Sequence, residues 1–307
     1  MGRPRRSPDT AACDDHPCMR VTFSVAAVAL CACGDAHPRA VIQNKGSDTM
    51  VNLAQAWAEA FEAAQSEVSV AVSGGGSGTG IAALIEGTAD IANSSRALDD
   101  DEARDAERLR GAAPVASVVA LDAISVFVHP DNPLAGLEFA ELACIYGADG
   151  DCEHWSDVRD TVVPGCPGNR IVRVSRQSNS GTAQYFRETV IGERRDLRLG
   201  SLDLNGSSEA VRLVEHTPCA IAYVGLGYLI AGVKPLCVAT DDAAPCVYPS
   251  AESAASRSYP IARELFMVTI GPPEGPAKRF LEWARTPEAI AVLEHTGYVA
   301  VHDEEQH

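Results

Sequence analysis

Apolar positions along this chain switch between two periods, and each switch passes through a short polar turn. Residues 41–43 and 68–72 alternate or run as β-branched strands, the latter as Val68-Ser69-Val70-Ala71-Val72. Leu53, Ala56, Trp57, Ala60 and Phe61 recur at helical spacing, so an amphipathic helix follows the first strand, with Trp57 and Phe61 as core. Residues 89–92 read as a short buried strand and residues 99–110 as a charged, solvated helix. Residues 115–121 and 123–129 are apolar runs, expected as buried strands around a crossing between lobes. Pro130-Asp131-Asn132-Pro133 is a turn, and residues 137–146 read as a helix. Trp155 falls in an irregular loop that carries cysteines. Beyond it come a strand at 171–174, helices over 183–190 and 208–216, and a strand at 220–224. Residues 241–255 read as loop, 265–270 as a returning strand, and 277–285 and 287–295 as closing helices.

The polar turns hold the candidate chemistry. Ser73-Gly74-Gly75-Gly76-Ser77-Gly78-Thr79-Gly80-Ile81 joins a strand to a helix start. Its glycines allow close backbone approach, and the first helical N–H groups are unpaired donors that suit an anion, above all a phosphate. Nucleotide signatures fail here. No Lys follows to make a phosphate-binding loop of the G-x-x-x-x-G-K-[ST] type, and Thr79 stands where a G-x-S-x-G elbow needs glycine. Gly78-x-Gly80-x-x-Ala83 fits only the loose dinucleotide pattern, and the acidic run Asp99-Asp100-Asp101-Glu102 is no second strand. An anion cradle without a nucleotide motif remains.

Other turns follow the same plan. Gly46-Ser47-Asp48-Thr49-Met50 lies after the first strand, and Asn93-Ser94-Ser95-Arg96 ends the third. Small hydroxyls beside an Arg suit an oxyanion, since Arg offers a rigid fork of donors. The alternative for Arg96 is an ion pair with the acidic run at 99–102. Ser175-Arg176-Gln177-Ser178-Asn179-Ser180-Gly181-Thr182 places Arg176 just after a strand and Ser180, Gly181 and Thr182 where a helix begins. A hydroxyl there is commonly an N-cap; the Arg four residues upstream favours binding.

The 307 residues suffice for two lobes and a sizeable core. A net charge of −17 argues against a general nucleic-acid binder, though not against a small anion held by local donors. The eight His are scattered, with no metal spacing and no Ser-His-Asp constellation, so neither metal nor cofactor is expected. The uncharged residues 21–32, preceded by Arg20, have the length of a signal h-region and are too short to span a bilayer. Leu30-Cys31-Ala32-Cys33 resembles a lipobox, with Cys33 as the lipidated residue; an ordinary secretory signal is the alternative, and either Met1 or Met19 could start the chain. Six cysteines follow Cys33, an even number that suggests disulfides in an exported protein, with fifteen possible pairings. The tail at 303–307 is polar.

Taken together, these turns resemble the substrate-binding protein of bacterial phosphate ABC importers, the PstS family. The resemblance rests on Gly46 to Met50 with Trp57 to Phe61, on Gly74 to Ile81, on Gly87 to Arg96 and on Ser175 to Thr182, with Tyr223-Val224-Gly225-Leu226-Gly227-Tyr228 in support. It implies an α/β, two-lobe periplasmic-binding-protein fold of type II-like form, with ligand in the interlobe cleft. It also implies a signal or lipobox at 1–33, a first lobe at 34–121, a second at 122–258 and a return to the first at 259–307. The implied role is an exported protein, not an enzyme, that binds inorganic phosphate and delivers it to the permease and ATPase of an ABC importer. It would be held at the membrane by a lipid anchor. Ser77 would bind phosphate from the glycine loop, Thr49 through its backbone N–H, and Arg176, Ser180, Gly181 and Thr182 from the second lobe.

One position departs from the family pattern. Well-known members carry an Asp where this chain has Ser95, followed by Arg96. Asp48 stands where those members have a binding Thr, so the carboxylate that accepts phosphate's proton is expected at Asp48, with Arg96 offsetting its charge. The alternative for Asp48 is an N-cap of the helix after it. Two rival functions stay open: a phosphate-ester hydrolase using Ser77 or Asp48 as nucleophile, and a sensing or adhesion protein reusing the same lobes.

Overall fold

The computed structural model describes residues 39–301; the proposed signal, Cys33 and the polar tail at 303–307 lie outside them. Strands β1 (Ala40–Gly46), β2 (Val68–Ser73) and β3 (Ile91–Ser94) alternate with helices α1 (Val51–Ala64) and α2 (Ser77–Glu86). β1 pairs in parallel with β2 and β3, so each crosses over through a helix, and each polar turn falls at a strand's carboxyl end. Helix α3 (Asp100–Arg110) carries a capping box between Asp99 and Glu102 and buries only Ala106. It leads into β4 (Pro114–Val128), a single strand of 15 residues.

That strand corrects the expectation of two strands at 115–121 and 123–129. Asp122 divides the apolar run in sequence, yet its carboxylate is paired by Arg263, so the charge interrupts the pattern and not the ladder. The same strand joins the lobes. Its first part pairs with β11 (Ala262–Ile270), and from Ile124 onward it pairs with β8 (Ala220–Gly225).

The second lobe contains β5 (Gly136–Glu138), α4 (Phe139–Tyr146), β6 (Val172–Arg176) and α5 (Gly181–Phe186). β7 (Leu202–Leu204), α6 (Ser207–Glu215) and β8 follow, then β9 (Lys234–Pro235), β10 (Cys237–Ala239) and the short α7 (Ala251–Ala255), which lies inside the stretch expected to be loop. After β11 the chain closes with α8 (Gly275–Trp283) and α9 (Pro287–His295) in the first lobe. The ladder runs β2-β1-β3-β11-β4-β8-β6-β7 through both lobes.

Each lobe has its own core. Trp57, Phe61, Phe280 and Trp283 pack with Leu265 and Ala120 in the first. Trp155, Tyr146, Phe186 and Tyr223 pack with Ile124, Tyr259 and Ile261 in the second. Disulfides Cys144–Cys152, Cys166–Cys219 and Cys237–Cys246 choose one of the fifteen pairings, and all lie in the second lobe. The widest, with a sequence separation of 53, limits the unfolded chain most, by about 4 kcal/mol on the chain-entropy estimate.

Candidate functional site

Four polar turns meet where the lobes touch. From the first lobe, Ser47 Oγ donates to Ser95 Oγ at 2.9 Å, and Ser77 Oγ lies 3.3 Å from Ser95 Oγ. The Ser95 N–H donates to Ser77 Oγ at 3.1 Å. Ser77 and Ser95 are fully buried. These hydroxyls come together because β1 and β3 are neighbours and α2 starts beside them, so three strand ends converge.

The second lobe closes over this group. Thr49 Oγ1 and Thr182 Oγ1 are 2.8 Å apart across the junction. Gly181 sits against Ser77 and Ser95 so closely that a Cβ there would collide with both hydroxyl oxygens, which is why the position takes no side chain. Ser180 caps α5, accepting from the Ala183 N–H at 3.4 Å. The Gly78 N–H donates to the Asn179 carbonyl at 3.1 Å, and Asn179 Nδ2 donates to the Gly75 carbonyl at 2.8 Å. Gly76, at φ +90°, passes so near the Asn179 carbonyl that a Cβ would stand 2.6 Å from it.

Arg176 ends β6 and is buried. Its Nε donates to the Leu204 carbonyl at 3.3 Å, Nη1 to Ser207 Oγ at 2.8 Å, and Nη2 to the Asn205 carbonyl at 2.6 Å. Nη2 also pairs with Asp48 Oδ2 at 3.3 Å, across the lobes. Burial pushes the Arg176 pKa below its ordinary value, Asp48 opposes that shift, and the nearby positive charge of Arg263 adds to it. An anion entering here would relieve the same cost.

The alternative reading of Asp48 falls, and one expectation, for Arg96, needs correction. Asp48 does not cap its own helix. Its Oδ1 accepts the Gly75 N–H at 2.9 Å, so it ties the first polar turn to the glycine loop. Arg96 is not its charge partner. Arg96 Nη1 and Nη2 hold Glu102 in a bidentate pair at 2.7 and 2.5 Å, and Nη1 also bonds the Ala97 carbonyl. Burial opposes the charge of Arg96, but Glu102 outweighs it and holds the pKa above its ordinary value. The capping box at the start of α3 aims Glu102 at Arg96, and a nearby carboxylate wins over a distant ligand site. The partner of Asp48 is Arg176.

The structure adds residues that sequence reasoning passed over. Arg263 on β11 and Asp122 on β4 form an ion pair of 2.7 Å with neither side chain exposed. Arg263 Nη2 reaches Thr49 Oγ1 at 3.2 Å and Nη1 reaches the Ser95 carbonyl at 3.1 Å. Burial pushes the Asp122 carboxyl above its ordinary range, against the pull of Arg263. Tyr228 Oη donates to the Asp48 carbonyl at 2.6 Å, and Tyr298 Oη donates to that of Thr49. The sequence signal was a lone Asp122 inside the apolar run of β4; on β11 Arg263 stands beside Glu264 at the strand's start. Among the described residues, one group could gather around a metal, Cys144, Asp151 and Cys152, and both its sulfurs are spent in a disulfide.

Two α/β lobes linked by shared strands, with donors converging between them, define a binding protein of the periplasmic type. Residues 34–288 match the family described as a PBP superfamily domain. Within that class the chain belongs to the PstS family of phosphate-binding proteins. It is 32% identical over 266 residues to the phosphate-binding protein PstS of Pseudomonas aeruginosa, covering 84% of this chain and 82% of that one. Among solved structures it resembles a putative phosphate ABC transporter substrate-binding protein with bound phosphate from Clostridium perfringens. The TM-score is 0.73 at 24% identity, over 85% of this chain and 100% of that chain, which establishes the shared fold. An ABC-type phosphate transport receptor from Vibrio cholerae gives a TM-score of 0.66 at 25% identity, over 85% and 100% of the two chains.

Proposed function

We propose that this chain binds inorganic phosphate between its lobes, outside the cytoplasmic membrane, and delivers it to the permease and ATPase of an ABC importer. The observation that carries the reading is the set of hydroxyl and backbone donors from both lobes meeting beside a buried Arg176. A dianion stripped of water needs many short donors and a charge, and closure of two lobes supplies them together. The family relationship supports the same ligand. Thr49, Ser77 and Ser95 contribute from the first lobe, and Arg176, Ser180, Gly181 and Thr182 from the second. Arg96 stays outside this set, held by Glu102. Calorimetry of the full chain with phosphate, sulfate and arsenate tests the proposal. Heat and saturation with phosphate are expected, and no response to phosphate would overturn it.

Asp48 supplies discrimination on this reading. Near neutral pH phosphate keeps a proton and sulfate does not, and an ionised carboxylate can only accept. Asp48 has lone pairs beyond those given to Gly75 and Arg176, so it can take that proton while repelling sulfate. The phosphate-to-sulfate ratio of Asp48→Asn tests this role.

The role is binding without chemistry. Ser77 Oγ bonds to Ser95, neither an acid nor a base, so an activated nucleophile lacks support. Turnover of a simple phosphate ester would restore the hydrolase reading. The export address is supported by the h-region and by three disulfides, which suit an oxidising compartment. No described helix is long and apolar enough to cross a membrane. The likeness of Leu30-Cys31-Ala32-Cys33 to a lipobox supports a lipid anchor on Cys33. Mass spectrometry of protein from a bacterial host should find a diacylated Cys33, and an unmodified N-terminus beyond it would remove the anchor. We assign the forward crossing between lobes at 121/122. The return crossing falls between Ile261 and Leu265, slightly later than 259, because Tyr259 and Ile261 still pack with the second core.

A further inference from the structure

The Arg263–Asp122 pair has an unusual address. Its two residues are direct partners in the β4–β11 ladder, at the point where β4 leaves β11 for β8. Each end is committed to a different part of the molecule. Asp122 Oδ1 accepts the Leu226 N–H of the second lobe at 3.0 Å, while Oδ2 receives both Nε and Nη2 of Arg263. Arg263 in turn donates to Thr49 Oγ1 and to the Ser95 carbonyl, two residues of the hydroxyl cluster. The pair is therefore a buried dipole, with its positive end bonded to the cluster.

Two consequences follow from elementary electrostatics. In a site without solvent, a guanidinium one hydrogen bond behind the donors stabilises an anion, and the carboxylate behind it subtracts from that effect. One lone pair of Thr49 Oγ1 is taken by Arg263, which leaves its proton free to donate to Thr182 or to an anion.

We propose that Arg263 is a positioning residue of the anion site, a second guanidinium that turns Thr49 toward donation and adds positive field, with Asp122 as the counter-ion that moderates it. This inference rests on the phosphate reading. It makes the two halves of one ion pair act in opposite directions on affinity, which a purely structural pair would not do.

The experiment is a phosphate titration of the full chain and three variants, with thermal unfolding measured with and without phosphate. Arg263→Gln leaves Asp122 unneutralised beside the site and should weaken phosphate by about tenfold or more. Asp122→Asn keeps an acceptor for the Leu226 N–H, frees the charge of Arg263 and should tighten phosphate by about threefold. It should also unfold at a lower temperature alone and gain more from phosphate than the wild type does. The double variant Asp122→Asn with Arg263→Gln removes both charges, tests the pair if either single variant fails to fold, and should bind more weakly than the wild type. Equal weakening by both single variants, or a double variant as tight as the wild type, would overturn the inference while leaving phosphate binding in place. A wild-type chain that ignores phosphate would overturn both.

Discussion

Arg96 and Arg176 occupy matching places in the two lobes. Each stands at or just beyond the carboxyl end of a buried strand, each has small hydroxyl residues next to it, and each is almost fully buried. Their partners separate them. Arg96 finds Glu102 six residues away, already aimed by the capping box of α3. Arg176 finds carbonyls and a hydroxyl from 204–207, and its carboxylate, Asp48, comes from the other lobe, 128 residues away in sequence. Neutral acceptors orient a guanidinium without cancelling its charge, whereas a bidentate carboxylate does both. A buried arginine is available to a ligand when no carboxylate of its own neighbourhood has claimed it.

The largest effect should come from the arginine left available. Arg176→Ala is expected to cost about 2–5 kcal/mol of phosphate binding, because anion charge is then buried without its partner. Calorimetry measures it, and near-native affinity would end the contrast between the two arginines. The partners should differ as well. In Asp48→Asn the preference for phosphate over sulfate should shrink by about 1.5–3 kcal/mol, the worth of a charged hydrogen bond. An unchanged ratio there, with a collapsed ratio in Ser95→Ala, would move the acceptor to Ser95.

For the other pair the expected effect lies in stability. Glu102→Ala should lower unfolding free energy by about 1–3 kcal/mol, since a buried guanidinium loses its acceptor, and should leave phosphate affinity unchanged. Urea unfolding followed by titration separates the two quantities. A loss of affinity alongside stability would give Arg96 a part in the site. The smallest change is expected from Asp99→Ala, which removes the cap that aims Glu102 and should cost about 1 kcal/mol in the same unfolding experiment.

The strand, polar turn and helix units were legible in sequence because each rests on local rules: period, β-branching, glycine and capping. Those rules located the polar turns, the resemblance to the PstS family singled out Ser77, Thr49, Gly181 and Thr182 within them, and the structure gathers these with Ser95 at one junction. What sequence left open depended on long-range pairing. The glycine loop was visible, but not that its Gly78 N–H would meet Asn179, 101 residues on by their numbers. Asp122 looked like a break between two strands because its partner, Arg263, is 141 residues away. Arg96 and Arg176 looked alike because each follows an apolar strand and a serine; the difference lies in what folds against each side chain. Cysteine count showed that disulfides were expected, and only the folded chain could choose among the pairings.

A side-by-side phosphate titration of the wild type, Arg176→Ala and Arg96→Ala tests the account most directly. The wild type should saturate with one phosphate per chain, Arg176→Ala should bind about 30-fold more weakly or worse, and Arg96→Ala should stay within about threefold of the wild type. A wild type that takes up no phosphate, or an Arg96→Ala variant that loses as much affinity as Arg176→Ala, would contradict it.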